Sequence, residues 1–214
     1  MINSEITVEV TTTRKKLFDI LEKNGFFFKE RLFITDYYYT HINISKVKTD
    51  FQTLSKNSVL VRNVVLERRY FSSEGITMLV YKKKDFNDEG QVQSEQKISC
   101  EIDSAPKVKR MFSAMGLKNW CTKKIVGYVY KKGSIEFLVQ EIEGVGLFIE
   151  VEQPGEAKDQ QRPKVNAMKK LIQDLKIPIK PDFHANIAYI MYLNQQKATV
   201  KKPVTKPLVK KPSK

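Results

Sequence analysis

The sequence predicts an α+β domain on three observations. Seven stretches repeat their apolar residues every second position, four repeat them every third and fourth, and one strand, helix and glycine unit occurs twice. The period-two stretches are ITVEV (6–10), VLVRNVVL (59–66), ITMLVYK (76–82), KISCEI (97–102), IVGYVY (125–130), IEFLVQEI (135–142) and LFIEVE (147–152). Successive side chains of a strand point to opposite faces, so Ile6, Val8 and Val10 face away from Glu5, Thr7 and Glu9. In the same way Ile98, Cys100 and Ile102 face away from Lys97, Ser99 and Glu101, which predicts an antiparallel sheet with one polar side.

The first helix is read in TTTRKKLFDILEKNG, with Thr12 or Thr13 as cap, an apolar stripe of Leu17, Phe18, Ile20 and Leu21, and Gly25 as its stop. A second follows Ser104, with Pro106 in its first turn, Val108, Met111, Phe112 and Met115 on one face and Gly116 at its end. The third spans about 162–176, on Val165, Met168, Leu171, Ile172 and Leu175, and the fourth begins near Asp182. Glu9 and Glu101, Val10 and Ile102, and Thr12 and Ser104 lie 92 residues apart, while Gly25 and Gly116 lie 91 apart. Two such halves suit either a closed antiparallel barrel with a polar interior or an open sheet with one solvated face.

The 214 residues are enough for one ordinary domain with a real core. Two cysteines are too few for a disulfide framework and fit a reducing cytoplasm; no signal-peptide pattern opens the chain, and no apolar run nears the ~18 residues of a membrane span. The net charge of +14 points to a polyanionic partner. Half of it lies in residues 197–214, where seven lysines and three prolines without an acid predict a disordered tail able to make weak nucleic-acid contacts. Residues 1–196 are taken as the folded domain.

Within that domain the charge is unevenly placed. From Ile135 to Glu152 there are five glutamates and no Lys or Arg, and Glu150 and Glu152 share one face of a strand. Paired carboxylates of this kind suit Mg²⁺ or Mn²⁺, which take a few carboxylates and fill the remaining positions with water and phosphate oxygens. Arg62, Lys82, Lys97 and the Lys123-Lys124 pair stand on or beside other strands, and together they would make a phosphate site with metal positions at its edge.

The segment EIEGVGLFIEVE (141–152) resembles the closing motif of the CYTH superfamily, the triphosphate tunnel metalloenzymes, through Gly144, Val145, Gly146, Phe148, Glu150 and Glu152. DYYYT (36–40), VLVR (59–62), Lys82 and the helix around Tyr189 are similar to further family segments in the same order, over about residues 4–194. The resemblance implies a closed antiparallel barrel with helices outside and a tunnel for a triphosphate-containing molecule or inorganic polyphosphate. It implies a divalent-metal-dependent hydrolase or cyclase-like enzyme of the class IV adenylate cyclase or thiamine triphosphatase type. Carried over residue by residue, it places Glu150, Glu152, Glu101 and Glu9 at the metal and Arg62, Lys82, Lys97 and Lys124 on phosphate; it names no catalytic residue. The opening Glu-x-Glu-x-Lys of the family is replaced by Glu5, Thr7 and Glu9, and Gln140 stands where the family has aspartate. These departures raise an alternative, a degenerate barrel that binds polyphosphate, nucleotide or RNA without turning it over.

Overall fold

The computed structural model describes residues 2–42, 54, 58–66, 75–86, 92–155, 161–183 and 186–200. Of the tail read over 197–214, residues 197–200 belong to the last helix and residues 201–214 lie outside the described residues. Among the described residues eight strands and four helices are formed: β1 (Ile2–Val10), α1 (Arg14–Lys23), β2 (Phe27–Thr40), β3 (Ser58–Leu66), β4 (Gly75–Phe86), β5 (Val92–Glu101), α2 (Ala105–Ala114), β6 (Lys118–Lys132), β7 (Ile135–Ile142), β8 (Gly146–Gly155), α3 (Gln161–Asp174) and α4 (Ile187–Val200). Among the described residues no helix is long and apolar enough to cross a membrane.

Every strand pairing is antiparallel, in the order β1-β5-β4-β3-β2-β6-β7-β8. β8 pairs with β1 from Ile2 to Val10, while on its other edge β1 meets β5 only at Ile2–Gln96 and Asn3–Glu95. The duplication read in the sequence is present in this topology. Moving four strands along the chain carries β1 to β5, β2 to β6, β3 to β7 and β4 to β8, and each neighbour relation maps onto another.

The two helix starts explain the repeat at atomic level. Thr13 and Ser104, in extended conformation, accept hydrogen bonds from the backbone N–H of Lys16 (3.3 Å) and Lys107 (3.4 Å), each satisfying one orphan donor of a first turn. Gly25 and Gly116 end these helices at the same left-handed φ of 81°. A Cβ on Gly116 would meet no atom within 4 Å, so its need for glycine is purely conformational. Gly116→Ala is expected to cost about 1–2 kcal/mol, the penalty of a left-handed L-residue, read as a lower urea midpoint with unchanged slope.

Two expectations differ from what forms. β2 runs over fourteen residues, of which periodicity alone gave no sign, because Phe27, Phe28, Leu32, Phe33, Ile34 and Tyr37–Tyr39 put apolar groups on both faces. α4 starts at Ile187 rather than near Asp182. The chain leading to it is tied to β1 by Thr11 N–H to Pro178 O and Lys180 N–H to Glu9 O, both 2.9 Å. Asn186 then caps α4, its Oδ1 accepting from Tyr189 N–H at 3.3 Å.

α1 and α3 cover one side of the sheet, burying Leu17, Leu21, Met168 and Ile172 against Ile6, Val8, Phe137, Val139, Ile149 and Val151. α2 packs Phe112 on Tyr39 and Val61 of the same outer side, in the other half. α4 lies against the opposite side, where Ile187, Ile190 and Met191 meet Ile34, Ile125, Ile142 and Phe148. That apolar contact is the floor on which the charged residues stand.

Candidate functional site

Each strand that supplies the apolar floor supplies a polar residue two positions on, one layer of about 7 Å further along the same face. Ile34 is followed by Asp36, and Phe148 by Glu150; in the opposite chain direction Val64 gives Arg62, Ile125 gives Lys123 and Ile142 gives Gln140. The backbone register sets Asp36 directly between Arg62 and Lys123. Five strands thus place a polar layer on a greasy one.

Asp36 is fully buried and accepts two hydrogen bonds from one guanidinium, Arg62 Nε to Oδ1 at 2.7 Å and Nη2 to Oδ2 at 2.9 Å. Lys123 Nζ stands 3.3 Å from Oδ2. Burial alone would lift the Asp36 carboxyl, but Arg62 and then Lys123 outweigh it and hold it well below the usual carboxylate range. Burial also works against the charges of Arg62 and Lys123; for both, the opposing fields, with Asp36 foremost for Arg62 and Tyr38 and Asp36 for Lys123, keep them protonated. One aspartate holding two cations leaves the layer positive, with Arg62 Nη1 outside the fork that Asp36 uses.

Glu150 faces these cations from β8. Gln140 Nε2 donates to Glu150 Oε2 at 2.6 Å, and Gln140 Oε1 is buried without a hydrogen-bond partner. Burial, then the field of Glu5, push the Glu150 carboxyl up to about 7, against Lys82, Lys123 and Arg62. Glu5 itself accepts from Thr7 Oγ1 at 3.4 Å and lies 3.9 Å from Lys82 Nζ. Glu152 is opposite Glu5 in the β1–β8 register and exposed.

A raised carboxyl at this place has a thermodynamic consequence with a definite sign. The folded state holds a proton that the unfolded chain, at an ordinary glutamate value of 4.5, has already lost. Glu150 therefore makes stability fall as pH rises from about 4.5 through 7. Glu150→Gln is expected to raise the urea midpoint at pH 8 and to leave it unchanged near pH 4, where both side chains are neutral.

Of the residues expected on phosphate, Arg62 and Lys82 belong to this cluster, and Lys97 is paired with Lys82 in the β4–β5 register. Lys124 does not join them: it lies on the other face of β6, largely exposed and 3.2 Å from Glu143. Lys123 occupies the place expected of it. Among the expected metal ligands, Glu150 and Glu152 stand next to Glu5, whereas Glu9 is engaged by Lys180 Nζ at 2.7 Å and Glu101 is opposite Met78 on the far side of the β1–β5 seam. Among the described residues no three His, Cys, Asp or Glu side chains are gathered as a metal cage. Sequence reading missed Asp36 and, of the Lys123-Lys124 pair, carried Lys124 rather than Lys123 onto phosphate; the available signal was parity, since Lys123 alternates with Cys121 and Ile125, both buried.

Comparison with known proteins follows the same outline. No family model matches the chain. A protein of Methanocaldococcus jannaschii named "putative adenylate cyclase" is 26% identical over 152 residues, 71% of this chain and 77% of that one. A protein of Pyrococcus horikoshii superposes with a TM-score of 0.68 at 19% identity, covering 91% of this chain and 99% of its own. The chain shares its fold with the Pyrococcus protein and resembles the Methanocaldococcus protein in sequence over most of its length. Other solved structures superpose less closely. A structure from Vibrio parahaemolyticus, also named a "putative adenylate cyclase", gives 0.63 at 13% identity over 89% of this chain and 98% of that one. An adenylyl cyclase homologue of Hippeastrum, described as revealing a dominant triphosphatase activity, gives 0.53 at 15% identity over 91% and 96%.

Proposed function

We propose that this protein is a divalent-metal-dependent phosphohydrolase of the CYTH type, whose eight strands act as a closed tunnel around a triphosphate-containing substrate. The observation that carries the reading is the convergence of Arg62, Lys123 and Lys82 on one face beside Glu150, directly above an apolar floor. Arg62 and Lys123 share the single Asp36 carboxylate, and near neutral pH Glu150 beside them is half protonated. A chain of phosphates supplies the missing negative charge in a short, linear form. The triphosphatase activity named for the Hippeastrum relative supports the same reading.

The donor set fits Mg²⁺ or Mn²⁺ in their usual mode of one or two carboxylates, with water and phosphate oxygens completing the shell. Glu150 would hold the ion with Glu5 or Glu152, and the repulsion between Glu5 and Glu150 is what such an ion relieves. When bound, it would neutralise charge on the transferred phosphoryl group. The chain's own residues do the rest: Asp36 fixes the Arg62 fork, Arg62 and Lys123 orient phosphate oxygens, and the α4 floor limits how deep the chain of phosphates sits.

Thr7 in place of an acid, and Glu9 occupied by Lys180, favour a second reading in which the same pocket binds polyphosphate without turnover. Phosphate release from tripolyphosphate, thiamine triphosphate and ATP, with Mg²⁺ or Mn²⁺, separates the two. The hydrolase reading expects turnover of at least one of them that a Glu150→Gln, Glu152→Gln double variant lacks. Calorimetric binding of tripolyphosphate without any release would establish the second reading instead.

A further inference from the structure

The internal duplication sets two surfaces side by side that ought to be treated alike and are not. In one half, Ile6 and Val8 of β1 pair with Val151 and Ile149 of β8, and all four are at most 1% exposed because α3 lies on them. The matching positions 92 residues on from Ile6 and Val8 are Ile98 and Cys100 of β5, which pair with Tyr81 and Leu79 of β4 in the same register. Here Ile98 is 59% exposed, Tyr81 is 37% exposed and Cys100 is exposed, and only Leu79 is half-buried, at the edge of the α2 contact. α1 and α2 correspond to each other, but among the described residues α3 has no counterpart.

We propose that this β4–β5 face is the docking seat for an amphipathic helix of another protein, laid across Leu79, Tyr81, Ile98 and Cys100 as α3 lies across β1 and β8. The seat is apolar and alternates with the period that α3 already satisfies in the same chain, so the shape of its occupant is given by an internal precedent. The chain's own described helices are all committed: α1 and α3 to the first half, α2 to Tyr39 and Val61, and α4 to the opposite side of the sheet. A second copy therefore has no free described helix to lend. The flank of the seat is basic, since α2 carries Lys107, Lys109 and Arg110 without an acid, with Lys107 and Arg110 exposed. The occupant's polar margin is accordingly acidic.

The chain supplies its own reporter, because Cys100 is exposed in the seat while Cys121 is buried and its thiol is pushed up to about 11. The probes are two synthetic peptides of residues 161–176, one with the native α3 sequence and one carrying Lys164→Glu, Lys169→Glu and Lys170→Glu. The acidic peptide is expected to slow thiol-reagent labelling of Cys100 in the full chain, and to bind at least tenfold more weakly to Ile98→Asp and to Tyr81→Asp. The native, lysine-rich peptide is expected to bind more weakly than the acidic one. Each of four results would overturn the proposal: no binding of either peptide, binding that ignores both substitutions, labelling of Cys100 as slow as that of Cys121 in the free chain, or sedimentation as a dimer that Ile98→Asp splits. The last would make a second copy the occupant.

Discussion

Arg62→Met is expected to lower kcat/KM for a triphosphate by about 10²–10³, the range found when a preorganised charged or hydrogen-bonding group is taken from a phosphoryl or acyl transition state. The size follows from the site. Arg62 is held at both ends of a bidentate fork by Asp36, so its free Nη1 is delivered in a fixed direction with little further loss of rotamer freedom. Arg62→Lys is expected to fall between, because an ammonium keeps the charge and loses the planar fork. The measurement is a full substrate-saturation curve for each variant. A fall in kcat with KM unchanged marks an interaction made in the transition state, whereas a rise in KM alone marks simple binding.

Asp36→Asn is expected to have the largest effect on stability, about 3–5 kcal/mol, because it leaves Arg62 and Lys123 buried with their shared counter-ion gone. For a domain of this length that corresponds to a fall in Tm on the order of 10 °C. The wild-type contribution has a pH signature of its own. The folded Asp36 carboxyl lies below its unfolded value, so its contribution is present above that value and is lost only as the pH drops through the folded one, in strong acid. Asp36→Leu combined with Arg62→Leu is expected to cost less than the two single changes summed, since the pair is removed together. Equal Tm values for wild type and Asp36→Asn at pH 7 would contradict the account.

Much of the architecture was legible because alternation and capping are local. Thr13, Ser104, Gly25 and Gly116 mark helix ends by their own chemistry, and ITVEV and KISCEI declare two faces without any knowledge of their neighbours. The site was legible only in part, since it depends on which residues of different strands stand opposite one another. Glu150 was found because it repeats with Glu152 along one strand. Asp36 was passed over because its partners lie 26 and 87 positions away and meet it only through the β2–β3 and β2–β6 registers. Lys124 was preferred to its neighbour on the pattern of a known motif, and a shift of one residue in a strand reverses the face. Likewise alternation put Ile98 and Cys100 on the apolar face of their strand, which states which side a residue faces and not whether anything covers that side.

The choice between Lys123 and Lys124 also supplies the most direct test of the central claim, that a chain of phosphates is acted on at the Arg62–Lys123–Lys82 face. The initial rate of phosphate release from tripolyphosphate with Mg²⁺ should be measured for the wild type, Lys123→Met and Lys124→Met. The account predicts turnover by the wild type, near-complete loss in Lys123→Met and an unchanged rate in Lys124→Met. No release by the wild type, or equal rates in the two lysine variants, would contradict it.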